Sequence, residues 1–249
     1  MRSYGQYCPI ARGAEIFATR WTPLIIRNLL LGCRSFAEIQ AGAPGVPRSL
    51  LVERLRQLER LGILERRPNP SGRGSVYELT EAGRELEEVC YALGKWGARW
   101  LEVAPEHLDA PVVLWAVCRL METDDQLPRE RVAVRFDLRD LPKRPMWIVA
   151  GPDEAEVCVK PPGFDPDLIV ATDSEWLAKW HMGRISLGQA MRHGLIEVRG
   201  PRRLVHQLAT WGLSPFKDIR PASNSTSPVA RSTRRLAPTS TGPMGACGS

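Results

Sequence analysis

The sequence predicts an α+β protein: a small helical unit closed by a two-stranded hairpin, then a mainly antiparallel sheet with helices packed on it. Three observations predict it. Residues 45–83 read as a leucine-striped helix, a hairpin and the start of another helix; between residues 132 and 171 the apolar pattern switches to alternation; and beyond residue 221 apolar residues become sparse. The boundaries that follow are 1–104, 105–220 and a tail at 221–249. With 249 residues and 43% hydrophobic content, the chain has enough apolar material for two cores.

In the helix, Leu51, Leu55 and Leu58 recur at the i, i+4, i+7 spacing of one buried stripe, widened by Leu50 and Leu61. Ser49, Val52, Glu53 and Arg56 then face outward. Pro47 suits a first helical turn, where its missing N–H would be unpaired anyway, and Gly62 suits the left-handed stop. Next, Ile63 to Arg67 and Ser75 to Leu79 flank the turn-rich stretch Pro68-Asn69-Pro70-Ser71-Gly72-Arg73-Gly74, which predicts a β-hairpin. Arg66, Arg67 and Arg73 give this hairpin cationic points for phosphates. Thr80 sits three residues before Gly83 and opens a new helix, with Glu81 in its first turn, where the helix dipole favours an acid.

Upstream, the chain carries Tyr7-Cys8-Pro9-Ile10, then Arg20-Trp21-Thr22-Pro23-Leu24-Ile25-Ile26-Arg27-Asn28-Leu29-Leu30, then Arg34-Ser35-Phe36-Ala37-Glu38-Ile39. In this order, and with the Tyr77-x-Leu79-Thr80-x-x-Gly83 close, these segments resemble the signature of the HxlR family of winged helix-turn-helix regulators over about residues 7–102. The resemblance implies a transcription factor that binds double-stranded DNA as a homodimer, one recognition helix per half-site in successive major grooves. It makes Ser35 to Gln40 the positioning helix and Pro47 to Leu61 the recognition helix. Val46-Pro47-Arg48 departs from the family, which more often has isoleucine and a small polar residue there. The DNA-binding candidates are Arg48, Ser49, Val52, Glu53, Arg56, Arg66, Arg67 and Arg73. Arg56 or Arg48 would read a guanine edge, and the hairpin arginines would hold backbone phosphates.

Formal charge fits this division. Residues 1–104 carry 15 Lys+Arg against 11 Asp+Glu, residues 105–220 carry 16 against 17, and residues 221–249 carry 3 against none. The basic excess of +4 thus lies in the DNA-reading part and +3 in the tail, with −1 between them. The six cysteines, at 8, 33, 90, 118, 158 and 247, form no C-x-x-C pair and share no metal-ligand spacing with the four histidines. No metal, cofactor or catalytic residue is expected. His181, His193 and His206 have no neighbouring nucleophile motif, so the chain reads as a regulator and not as an enzyme. No apolar run approaches a membrane span, and the expectation is a cytoplasmic protein.

Cys8 is the redox candidate, because some members of the resembled family sense oxidants or electrophiles through a cysteine at this place and Arg12 lies one turn on. The structural alternative is a small residue that seats the first helix. Leu86, Val89, Cys90, Leu93, Trp96, Gly97 and Trp100 make a stripe that a small winged helix cannot bury alone. Its partner is either a second subunit or the part of the chain that follows.

That part begins near Pro105. Pro111 to Glu122 predicts a helix. Val132, Val134, Phe136 and Leu138 alternate with polar or small neighbours, Met146 to Ala150 and Glu156 to Lys160 flank a Gly151-Pro152-Asp153 turn, and Leu168 to Ala171 gives a fourth strand. Helices at 174–182 and 186–193, a strand at 195–199 and a helix at 201–211 complete it. From Asp167 onward, DLIVATDSEWLAKWHMGRISLGQAMRHGLIEVRGPRRLVHQL resembles the close of the sterol carrier protein type-two fold. That resemblance implies an apolar tunnel for a hydrophobic small-molecule effector, with Phe136, Trp147, Trp176, Trp180 and Met191 as candidate lining residues, or alternatively as core. Lys160 to Pro166 is a rigid loop, read as a lid or a plain connector. The tail has the Pro, Ser, Thr and Gly bias of disorder. The resulting expectation is a ligand-responsive repressor. Its alternatives are a thiol-sensing regulator with a structural C-terminal part, and a lipid-binding or transfer protein with a degenerate winged helix.

Overall fold

The computed structural model describes residues 3–70, 72, 74–104 and 107–222. Its N-terminal half runs α1(Pro9–Phe17), α2(Thr22–Leu30), α3(Phe36–Ala41), α4(Arg48–Arg60), β1(Leu64–Pro68), β2(Ser75–Leu79) and α5(Glu81–Trp100). Local chemistry marks the ends. The Ser35 hydroxyl accepts the Glu38 N–H while the Glu38 carboxylate accepts the Ser35 N–H, a reciprocal box that starts α3. Thr80 accepts the Gly83 N–H and starts α5. Gly62, at φ +69°, stops α4, and the Ile63 N–H returns to the Leu58 carbonyl.

Leu51, Leu55 and Leu58 are buried with Ile25, Ile26, Ile39, Val46 and Leu64 in one cluster. Two details differ from the sequence reading. Pro47 stands before the first turn, extended at ψ 137°, because the turn after Gly45 still has to redirect the chain. Leu61 is exposed, since the helix has ended and the stripe with it. β1 and β2 pair antiparallel from Leu64↔Leu79 to Pro68↔Ser75.

The C-terminal half runs α6(Ala110–Thr123), β3(Val132–Leu138), β4(Met146–Ala150), β5(Ala155–Cys158), β6(Leu168–Thr172), α7(Ser174–His181), α8(Leu187–Arg192), β7(Glu197–Arg199) and α9(Arg202–Leu208). The sheet order is β5-β4-β3-β6-β7. Three of its pairings are antiparallel as expected, but β6 joins β3 parallel. The cause is the segment after β5, which carries the chain back so that β6 starts beside the start of β3. There the Asp167 N–H donates to the Ala133 carbonyl, and the Asp167 carboxylate accepts the Ala133 N–H, both at 2.8 Å. Lys160 to Pro166 is therefore the crossover connection, with the Arg131 guanidinium 3.8 Å from the centre of the Phe164 ring.

Leu114, Val117 and Met121 of α6 pack on Val134, Phe136, Ile148 and Val170, with Leu177 and Trp180 of α7 completing the core. Aromatic packing and hydrogen bonds tie the halves together, among them Arg184 to the Ala98 carbonyl at 2.8 Å. Trp115 of α6 reaches into the N-terminal cluster, and Phe216 packs on α5, its ring centre 5.5 Å from that of Tyr91. Of the α5 stripe, Leu86 and Cys90 pack on the N-terminal cluster. Tyr91 and Gly94 dock on the following part of the chain, while Val89, Leu93 and Trp96 remain exposed. Of the predicted tail, residues 223–249 lie outside the described residues; before them, the Ala222 N–H bonds the Arg99 carbonyl. No helix among the described residues is long and apolar enough to cross a membrane.

Candidate nucleic-acid interface

The outward face of α4 lies opposite its leucine stripe. Ser49, Glu53 and Arg56 are exposed and Val52 is half-buried, at positions i, i+4, i+7 and i+3 of one face. Arg56 has no hydrogen bond or ion pair among the described residues, so its five donors are free for an external acceptor. Arg48 is held instead, its guanidinium 4.9 Å from the centre of the Phe36 ring. Because the ring belongs to α3, this stacking fixes the start of α4 to the helix before it. Glu53 is engaged by Arg54 at 3.0 Å. Arg54 also donates to Gln57 and lies largely flat against the protein, a restraint on Glu53 that the sequence reading missed.

In the hairpin, strand alternation separates two arginines that the sequence reading treated alike. Arg66 donates to the Ser75 hydroxyl at 2.8 Å and keeps its outer guanidinium nitrogens exposed. Arg67, on the opposite face, is clamped by Glu65 at 2.6 Å and Glu78 at 3.6 Å. The Glu65 hydrogen bond and charge, with Glu78 behind it, hold the Arg67 guanidinium above its ordinary value. Arg67 is consequently the poorer phosphate ligand of the two. Arg73, the third hairpin candidate, lies outside the described residues.

Beneath the interface a polar hub fixes the turn between α3 and α4. Asn28 is fully buried; its amide donates to the Ile39 carbonyl at 2.7 Å, and its carbonyl accepts from Arg27 Nε and Nη2 at 3.0 and 2.8 Å. Arg27 also donates to the Gly42 carbonyl at 2.5 Å, and burial lowers its pKa from the usual guanidinium value. Over this hub sits Trp115, with the Arg27 guanidinium 5.4 Å from its ring centre. A Cβ on Gly42 would come within 2.3 Å of the Trp115 ring, so only glycine lets α6 close on the turn. Sequence reading singled out neither residue, although the glycine and proline run at 42–47 was its signal.

Beside Trp115 a cleft of about 440 Å³ opens between α3 and the α6 and β5 edge. None of the five predicted lining residues belongs to it or to the other described cleft, between β1, β2 and α5. Phe136 and Trp180 are buried in the C-terminal core. Trp147 is buried too, but it pairs with Arg135 across the sheet, on the face opposite Phe136. Trp176 is half-buried under Lys179, and Met191 is exposed. The pleat therefore sets Trp147 apart from Phe136, whose cluster includes Trp180 and has Trp176 packed against it.

Among the described cysteines, Cys8 precedes α1 and is half-buried. Arg12, its expected companion, is bonded to Glu15 at 2.6 Å. Burial pushes the Cys33 thiol up to about 11, and it also raises Cys90, Cys118 and Cys158. Among the described residues no group of His, Cys, Asp and Glu is placed to hold a metal ion.

Comparison with known proteins bears on the N-terminal part of the chain. Residues 16–105 match the family described as HxlR-like helix-turn-helix. The HTH-type transcriptional regulator YvaP of Bacillus subtilis is 33% identical over 106 residues, 42% of this chain and 96% of the relative. The HTH-type transcriptional regulator YodB of the same organism is 35% identical over 97 residues, 38% of this chain and 87% of the relative. A solved structure of the reduced form of YodB shows 33% identity, covers 39% of this chain and 97% of its own, and has a TM-score of 0.34. The identity runs through nearly the whole length of such relatives, and the chain belongs to the HxlR-like helix-turn-helix family.

Proposed function

We propose that this protein is a homodimeric transcriptional repressor that reads double-stranded operator DNA through α4 and the β1–β2 wing and answers to a hydrophobic effector. The observation that carries the reading is the outward face of Ser49, Glu53 and Arg56 with half-buried Val52, opposite the buried leucine stripe and beside the Arg66 edge of a wing. Relatives named as transcriptional regulators support it. The homodimer is proposed through the apolar surface of Ile10 on α1 and Val89, Leu93 and Trp96 on α5, left exposed among the described residues. In this reading residues 1–104 bind DNA and residues 105–220 form the responsive part.

Fluorescence anisotropy on the DNA upstream of the gene, against scrambled DNA and across a salt series, tests the reading. A preference of about a thousandfold with a steep salt slope is the expected result. Equal binding to both DNAs over the series would contradict it. Within that assay, Arg56→Ala should cost about 1 to 3 kcal/mol on the preferred DNA and far less on scrambled DNA, because a base contact is lost. Equal losses on the two would reassign Arg56 to the phosphate backbone.

A second reading, thiol sensing, is favoured by one observation: Cys8 is a free, half-buried cysteine at the start of α1. Iodoacetamide should modify Cys8 first in a peptide-mapped time course, and DNA affinity should change as it does. Complete Cys8 alkylation with unchanged affinity rules this reading out.

A further inference from the structure

We propose that the cleft between α3 and the α6–β5 edge is an effector site for a lipophilic cation. The inference rests on the DNA-binding reading for its consequence, but not for the site itself.

The walls are largely apolar. Ala41 and Pro44 flank the turn that leads into α4, Trp115 forms the α6 side, and Val157 closes the β5 side. The volume, about 440 Å³, falls in the range of small-molecule sites. The charges on the lining are unequal. Glu38, Asp109 and Glu156 stand against Arg119 alone. Arg119 is answered within the fold, by Glu122 at 2.8 Å and the Ala155 carbonyl at 3.2 Å. Burial raises the Glu38 carboxyl, but the N–H groups of Ser35 and Arg34, with the Arg119 charge and the Ser35 hydroxyl, keep it below its usual value, hence ionised at neutral pH. Glu38 and Asp109 also cap α3 and α6, yet apolar and aromatic walls with three carboxylates against one paired arginine still favour an organic cation over an anion of the same shape.

The position supplies the consequence. Trp115 packs directly on Gly42, and the Arg27 that stacks on Trp115 also bonds the Gly42 carbonyl. A molecule inserted between Ala41 and Trp115 pushes on the seat that fixes where α4 begins. Such a ligand prefers an arrangement in which α6 and the α3–α4 turn are parted, which is the differential affinity that coupling to DNA requires.

The test uses the full-length protein and two ions of nearly identical shape and opposite charge, tetraphenylphosphonium and tetraphenylborate, by isothermal titration calorimetry without DNA. Expected is saturable binding of one phosphonium per chain, about tenfold tighter than the borate and weakened several-fold in Glu156→Gln, an exposed position where folding is not at stake. Arg56→Ala should leave it unchanged. With the site saturated, affinity for the preferred DNA should fall about tenfold. No saturable phosphonium binding, equal affinity for the borate, no effect of Glu156→Gln, or unchanged DNA affinity at saturation would each overturn the proposal. Failure of the free protein to prefer any DNA would instead fall on the regulator reading, and the calorimetric arm would still decide the site.

Discussion

Replacing Asn28 with alanine should destabilise the fold by about 3 to 5 kcal/mol, read as a fall in the urea midpoint at constant m-value. Three hydrogen bonds converge on this one amide, which is wholly out of water. Truncation leaves the Ile39 carbonyl without its donor and the buried Arg27 guanidinium without its main acceptor. Each unsatisfied buried group costs about 1 to 3 kcal/mol, more when charged, and the lost side-chain volume adds to it. Asn28→Asp separates the parts, since it keeps an acceptor for Arg27 but loses the donor to Ile39, and should fall between the two. Because Arg27 also holds the Gly42 carbonyl, the alanine variant should lose sequence-specific DNA binding before it unfolds. A loss under 1 kcal/mol would mean that water replaces the amide and that the hub does not set the turn.

How much of this was legible in the sequence follows from the range of the forces involved. α4 was readable because its leucine spacing, its proline and its glycine each act within one turn or so of where they stand. The α5 start was readable for the same reason, through Thr80 with Gly83, whereas α3 came from the family resemblance, and its Ser35–Glu38 box was not singled out. The fate of Arg67 was not, because its clamp by Glu78 depends on strand register, and the strand began one residue later than the pattern suggested. The parallel placement of β6 escaped for a similar reason. Alternation tells that a strand exists, but its neighbour is chosen by the crossover, and the Asp167 to Ala133 bonds that fix it span 34 residues.

The largest gap was at the junction of the two halves. Trp115 lies on a helix whose apolar stripe predicts burial, yet no periodicity says that one tryptophan will leave its own core and close on a glycine 73 positions earlier. The candidate lining residues show a different limit. Phe136 and Trp147 are both large, aromatic and buried, so composition grouped them, while the pleat sets them on opposite faces of one sheet. Aromatic content in a sequence thus located the buried regions of the C-terminal half without telling cavity wall from filling.

The same half carries an acid-sensitive joint whose sign can be worked out. His181 ends α7; its Nδ1–H donates to the Gly212 carbonyl at 2.9 Å, and its own carbonyl accepts the Ser214 N–H. Burial holds the imidazole down to about 4 against an ordinary 6.5, with the Gly212 bond opposing that shift. The unfolded chain therefore binds the proton more tightly than the folded one. The stability that neutral His181 contributes is complete above pH 6.5 and is lost as pH falls from 6.5 towards 4, by about 3 kcal/mol in all and about 2 kcal/mol by pH 5. Carboxylates titrate in the same window, so the measurement is a difference: urea unfolding of the wild type and of His181→Gln, at pH 7.5 and at pH 5. The wild type should lose about 2 kcal/mol more than the variant, and parallel losses would show that the imidazole titrates normally. The place of the joint gives the result its weight. Gly212 packs on the Val117 backbone of α6 with no room for a Cβ, two residues along the helix from Trp115, and its N–H bonds Gln126 just beyond that helix. Protonating His181 thus loosens the back of the helix whose front closes on the α3–α4 turn, and DNA affinity should weaken in acid more steeply in the wild type than in His181→Gln.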